Sequence, residues 1–304
     1  MTTQKFEKIE QHIQKGAKRK YLLESISSKV FLCCALLSVL SLLLIVSFVL
    51  AKGANPFINE SYSVKEFLFG TEWVPSEGKY GIFPMIVASL YATIGALVIG
   101  VPIGVFTAIF LAEIAPKKIA KLVSPAIQLL AGIPSVLFGL FGLAVIVPLL
   151  KNQFDLARGQ SLLAVILVLS IMMLPTIFTV AETAIRAVPK SYREGSLALG
   201  VSQIGTVFKV VVPAAKSGIL AAIILGLGRA LGETMAVILV AGNALILPES
   251  LTDAVRPMTT NIALEMGYAS GMHQEMLFAT GIVLFSFILI LNSVIARLSA
   301  RGVQ

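Results

Sequence analysis

Charge is scarce in this chain. Of 304 residues, 13% are Asp, Glu, Lys or Arg, about half of what a soluble domain carries. Histidine is limited to His12 and His273, and cysteine to the adjacent pair Cys33 and Cys34. These offer no nucleophile–base set and no metal-ligand spacing, so neither catalysis nor a cofactor is expected, and the cysteines receive no role. No G-x-x-x-x-G-K-[ST] run occurs, so the usual loop for cradling nucleotide phosphates is missing. The net charge of +8 suggests nucleic acid at first sight. The basic residues gather in loops between apolar runs, however, and no nucleic-acid partner is expected.

The chain is instead 57% hydrophobic, with a mean hydropathy of +0.92. Its apolar residues come in long unbroken runs, and about 20 helical residues cross a hydrocarbon core roughly 30 Å thick. Only helices and closed barrels satisfy their backbone in lipid. The runs do not alternate, which selects helices. Six spans are predicted, at roughly 30–51, 82–112, 125–150, 161–181, 214–243 and 276–297, giving an all-α membrane protein. Pro102 supplies a reason for the second span to bend. The first span reads as a true span, because its apolar run is too long for a signal peptide and a long polar head precedes it.

Basic residues set the orientation. Sixteen of the 24 Lys and Arg fall in 1–29, 113–124, 182–213 and 297–304, against six in 52–81, 151–160 and 244–275. The positive-inside bias therefore predicts cytoplasmic termini and a cytoplasmic 182–213 loop. Residues 1–29 form a separate segment ahead of a transmembrane domain spanning 30–304. Phe6, Ile9 and Ile13 have helical spacing, with Lys15, Lys18, Arg19 and Lys20 behind them. That pattern fits a helix lying on anionic membrane lipid, or an unstructured tail. Of the two long outer loops, 52–81 holds the single tryptophan, Trp73. It is either part of a gating or docking loop or an interface anchor.

The 182–213 loop reads as a helix, a corner and a second helix. Pro189 suits a first helical turn, and Gly200 a left-handed end. Ser202 suits the cap of the second helix, which runs to about Pro213. This loop resembles the cytoplasmic loop of importer-type ABC permeases, whose pattern is Glu-Ala-Ala, three residues, Gly, nine residues, then Ile-x-Leu-Pro. Glu194, Gly195 and Ser196 stand at the opening positions, Gly200 has the right spacing, and Val210-x-Val212-Pro213 closes the pattern. Two of the three opening residues depart from it, though both are small. The resemblance implies that this loop docks on an ATP-binding subunit.

A closer likeness is carried by "LLAGIPSVLFGLFGL" (129–143), "GTEWVPSEGKYGIFPMI" (70–86), "VVVPAAKSGI" (210–219) and above all "GLGRALGETMAVILVAGN" (226–243). From about residue 30 onward the chain is similar to PstC-type permeases of phosphate ABC importers. The likeness implies the type I importer permease fold, a PstA-type sister permease, two copies of a PstB-type ATPase and an external PstS-type phosphate-binding protein.

The last of these stretches puts Arg229 and Glu233 inside an apolar span, at a cost on the order of 3 kcal/mol each if they faced lipid. At i and i+4 they can neutralise each other. Alternatively they meet a travelling anion: arginine's fork suits a phosphate edge, and a glutamate can accept the P–OH proton. The candidate pathway set is Arg229, Glu233, Thr234 and Ser135. Ser135 is included because Pro134 can open a half-helix with free N–H groups, or simply kink a helix. Gly228 and Gly232 are expected to form a small-residue face for close helix packing. A permease for molybdate, sulfate or phosphonate and a secondary anion carrier are the remaining readings.

Overall fold

The computed structural model describes the backbone of residues 3–300 and the side chains of residues 24, 26–294 and 297. The proposed lipid-facing set Phe6, Ile9, Ile13, Lys15, Lys18, Arg19 and Lys20 lies outside the described side chains. Two compact units are present, 1–52 and 53–304. The helix α1 is Thr3–Ile58, and its part Ile26–Ile58 is long and apolar enough to span a membrane.

Helix α2 (Val64–Phe69) and the short antiparallel strands β1 (Trp73–Val74) and β2 (Lys79–Tyr80) come next in the chain. After them come α3 (Phe83–Ile109), which continues through Pro102 into a π-turn ending at Ile114, and α4 (Lys117–Leu130). The third span starts at α5 (Ser135–Phe141) and runs through a π-turn into α6 (Val147–Gln153). The expected start at residue 125 is therefore corrected. Residues 117–130 form their own amphipathic helix. The A-G-I-P run at 131–134 interrupts the backbone hydrogen bonding, because proline has no N–H to give.

Helix α7 (Leu162–Arg186) leads to α8 (Lys190–Ala198), α9 (Gln203–Thr206) and, after a π-turn, α10 (Val212–Ala214). Helices α11 (Lys216–Gly232), α12 (Met235–Val240), α13 (Met258–Glu265) and α14 (Met272–Ala300) complete the chain. Among the described residues five helices qualify as spans, or six when the segment bent by 69° between Ala214 and Lys216 counts as one.

Helix α7 is the centre of the second unit and packs against α3, α11 and α5. In lipid the hydrophobic effect does not pull helices together, so close backbone approach must do it. Glycines allow that approach. A Cβ on Gly100 or Gly104 of α3 would lie 2.6 Å from Met173 or 2.8 Å from Ile177 of α7, and one on Gly226 of α11 would lie 2.7 Å from Ile177. The expected pair Gly228 and Gly232 does not do this work, since a Cβ on either meets nothing within 4 Å. These two glycines face away from α7, and the packing glycine on α11 is Gly226.

Candidate functional site

The stretch 226–237 is two helices. α11 stops at Gly232, after which Glu233 is extended (φ −73°, ψ 126°), and α12 begins after Thr234 (φ −121°, ψ −53°). The Glu233 carboxylate accepts the Ala236 N–H at 3.1 Å, the job of a capping side chain at a helix start. Thr234 Oγ1 donates to the Gly232 carbonyl, and Thr259 Oγ1 to the Glu233 carbonyl, each at 3.3 Å. The signal was present as a glycine, then an acceptor side chain, then an apolar run.

This overturns the i, i+4 geometry. With the helix ended, residue 233 no longer shares a face with residue 229. Among the described residues no ion pair joins Arg229 to Glu233. Each charge instead sits where a helix dipole favours it: Arg229 in the last turn of α11 and Glu233 at the opening of α12. Both are half-buried.

Arg229 Nη1 donates to Thr176 Oγ1 of α7 at 3.2 Å. Sequence reasoning missed Thr176. Its one signal was a hydroxyl directly after Pro175 in an apolar run. A single neutral hydroxyl leaves most of the guanidinium's five N–H donors free for an oxyanion. Ser135, half-buried, opens α5. Helices α5 and α12 run parallel: Gly139 lies against Ala236, with a Cβ 2.7 Å from the Ala236 Cα, and Gly142 against Val240. The α5 start and the 233–234 break are thus at the same end of one helix pair. Ser135 makes no described hydrogen bond to Arg229, Glu233 or Thr234.

The coupling-type loop has the expected corner. Gly200 is left-handed (φ 80°), and Ser202 Oγ accepts the Gly205 N–H at 3.2 Å. Pro189 is the N-cap of α8, one position before its expected place. Ser196 is buried and its hydroxyl pairs with Thr206 at 2.9 Å, which ties α8 to α9. Smallness at position 196 is therefore a packing demand. Glu194 and Gly195 are exposed, and Pro213 lies in α10. Four large apolar side chains stand exposed on this polar corner: Tyr192, Leu197, Ile204 and Leu199, the last 86% exposed.

A strut that sequence reasoning missed anchors this corner to the membrane domain. Arg193 of α8 makes a bidentate ion pair with Glu113, in the π-turn that ends α3, and also donates to the carbonyls of Ile185 and Val188. Hydrogen bonding to Glu113 raises the Arg193 pKa, so the guanidinium stays charged.

At the opposite end Trp73 is buried rather than an interface anchor. Its indole N–H donates to Glu265 at 2.8 Å, and the same buried carboxylate takes Arg256 and His273 at 2.8 Å each. The reason is chemical: a buried carboxylate has to be surrounded by donors, and three donors from segments far apart in sequence converge on this one.

Apolar spans packed through glycines, one span broken at a charged residue, and a rigid corner at one end define a multi-pass helical membrane permease. Residues 100–303 match the family described as binding-protein-dependent transport system inner membrane component. The chain is 41% identical over 272 residues to the probable ABC transporter permease protein YqgH of Bacillus subtilis (strain 168), covering 87% of this chain and 88% of that one. It is 37% identical over 254 residues to the phosphate transport system permease protein PstC of Pasteurella multocida (strain Pm70), covering 77% and 79%. Its fold is similar to that of a bacterial ABC transporter involved in the import of the acidic polysaccharide alginate. There the TM-score is 0.64 at 16% identity, over 96% of this chain and all of that one. The chain belongs to the binding-protein-dependent transport system inner membrane component family, and it is a permease subunit of an ABC importer in the cytoplasmic membrane.

Proposed function

We propose that this chain and a PstA-type sister permease together form the translocation pathway of an ATP-driven inorganic phosphate importer. In this reading the chain itself is non-catalytic and binds no cofactor. ATP is hydrolysed by a PstB-type dimer docked on the 182–213 corner, and a PstS-type binding protein delivers phosphate from outside. Both termini and the corner are cytoplasmic, with 1–29 as a separate segment ahead of the 30–304 permease domain.

The observation that carries the reading is Arg229. It stands beside the break that ends α11, held by a neutral hydroxyl and, among the described residues, paired with no carboxylate. Relatives named as phosphate permeases of the PstC type, 33–37% identical over most of this chain, support phosphate as the anion. Arg229 attracts the anion and Thr176 orients the arginine. Glu233 and Thr234 shape the break, and Glu233 accepts the P–OH that sulfate lacks. Ser135 adds a hydroxyl from the α5 start. Glu194, Gly195, Ser196, Gly200 and Pro213 form the ATPase-facing element.

The test is phosphate uptake in cells lacking this chain, complemented with wild type or Arg229→Gln at matched membrane levels. Uptake restored by wild type alone is expected. Restoration of molybdate or sulfate uptake instead of phosphate transfers the reading to another oxyanion.

A further inference from the structure

At the basic end of the chain a cavity of about 580 Å³ opens between α4 and the end of α7. Lys117, Lys121, Ser124 and Gln128 line it from α4, and Glu182, Thr183 and Arg186 from α7. The α4 residues fall at i, i+4, i+7 and i+11, so one helix face supplies them all. The stripe at Ile119, Leu122 and Leu129 points elsewhere and is exposed. Nothing in the pathway or the coupling corner uses this polar face.

The charges do not cancel. Glu182, the only acid in the lining, is buried and already occupied. One of its oxygens accepts Ser124 Oγ at 3.0 Å and Arg186 Nε and Nη2 at 3.1 and 2.8 Å. Arg186 Nη2 also donates to the Leu111 carbonyl at 3.1 Å, so the guanidinium is fixed in place. Its Nη1 has no hydrogen-bond partner among the described residues. Lys117 and Lys121, one turn apart and exposed, have no carboxylate partner among the described residues. Three cations against one committed acid leave an excess of two positive charges around a cavity with free N–H donors. An anionic, oxygen-rich ligand satisfies that arrangement.

We propose that this cavity is a phosphate-group site, distinct from the Arg229 pathway, whose occupant is held by Lys117, Lys121 and Arg186. Its position on the cytoplasmic face rests on the orientation proposed above, whereas its affinity for a phosphate group does not. Arg186 of the site stands three residues before Pro189, the cap of α8. An occupant on Arg186 therefore bears on the segment through which ATPase movements reach α7. The phosphate group belongs either to free orthophosphate on the cytoplasmic side or to an anionic lipid headgroup. The amphipathic, basic character of α4 suits both.

The experiment uses the assembled transporter in nanodiscs without the external binding protein. Binding of radiolabelled orthophosphate is measured in phosphatidylcholine discs for wild type, Lys117→Gln/Lys121→Gln and Arg229→Gln. In a second arm, discs containing phosphatidylglycerol are examined for retained lipid by native mass spectrometry. Both lysines are exposed, so the double variant is expected to assemble normally. If the occupant is free phosphate, the double variant loses, by at least roughly tenfold in affinity, a binding component that Arg229→Gln retains, the scale of removing two charges from a solvated site. If the occupant is a lipid, wild type retains phosphatidylglycerol and the double variant loses it. Equal orthophosphate binding and equal lipid retention in wild type and the double variant overturn the proposal. So does orthophosphate binding abolished by Arg229→Gln alone, which assigns all binding to the pathway.

Discussion

Arg229 and Glu233 look like an ion pair in the sequence and are not one in the structure. The difference has an energetic consequence. Removing one member of a buried ion pair strands the other, at about 3–5 kcal/mol. Two charges separately placed at helix ends lose only their own dipole and hydrogen-bond terms, about 0.3–1 kcal/mol each for the dipole part. The effects of Arg229→Gln and Glu233→Gln on the thermal stability of the purified complex are therefore expected to add to within about 0.5 kcal/mol in the double variant. A coupling energy well above about 1 kcal/mol contradicts the separate placement. In uptake assays Arg229→Lys keeps the charge but loses the fork, and partial transport is expected. Glu265 is the opposite case. It is buried under three donors, so Glu265→Leu leaves Arg256 uncompensated and is expected to destabilise the folded complex by about 3 kcal/mol or more. Mild effects on its melting temperature would show that Arg256 finds another partner.

At the scale of elements, the corner formed by α8 and α9 has its shape fixed by one residue. Gly200 at φ 80° is in the region that β-branched side chains avoid, although a Cβ there would meet nothing within 4 Å. The penalty of Gly200→Val is thus conformational and not steric crowding. Normal membrane insertion is expected, with loss of ATPase stimulation by loaded binding protein. Stimulation at the wild-type level would mean that this corner is not the coupling element. The strut between Arg193 and Glu113 makes a companion test, because Arg193→Lys retains charge but cannot reproduce the bidentate pair or reach both carbonyls.

These elements also separate what sequence could deliver from what it could not. Spans, the corner, its glycine and the Ser202 cap were legible because each depends on local chemistry: apolar length, a φ that suits glycine, an acceptor before a helix. The start of the third span was misplaced because α4 is apolar enough to merge with it, and only backbone geometry exposes the A-G-I-P interruption. The break at 233–234 was written locally and outweighed by the apolar residues on both sides. Thr176, Glu113 and the donors around Glu265 stayed hidden for another reason. Their partners lie 53, 80 and up to 192 residues away along the chain, and no local pattern encodes such pairings.

At the scale of the whole molecule, the chain has the look of a subunit. Gly228 and Gly232 face open space, and Leu225 and Met235, on the same stretch, are exposed. In lipid such a surface suits another helix with small residues, and under the proposed function that helix belongs to the sister permease. Membership of the permease family implies a separate ATPase as the motor. The most direct measurement of the account is phosphate accumulation in proteoliposomes holding this chain, a sister permease and the ATPase, with the external binding protein supplied on the side opposite ATP. The account predicts uptake that needs ATP and the binding protein together and that is lost with Arg229→Gln while the complex stays intact. Phosphate accumulation driven by an ion gradient in vesicles holding this chain without any ATPase would contradict it.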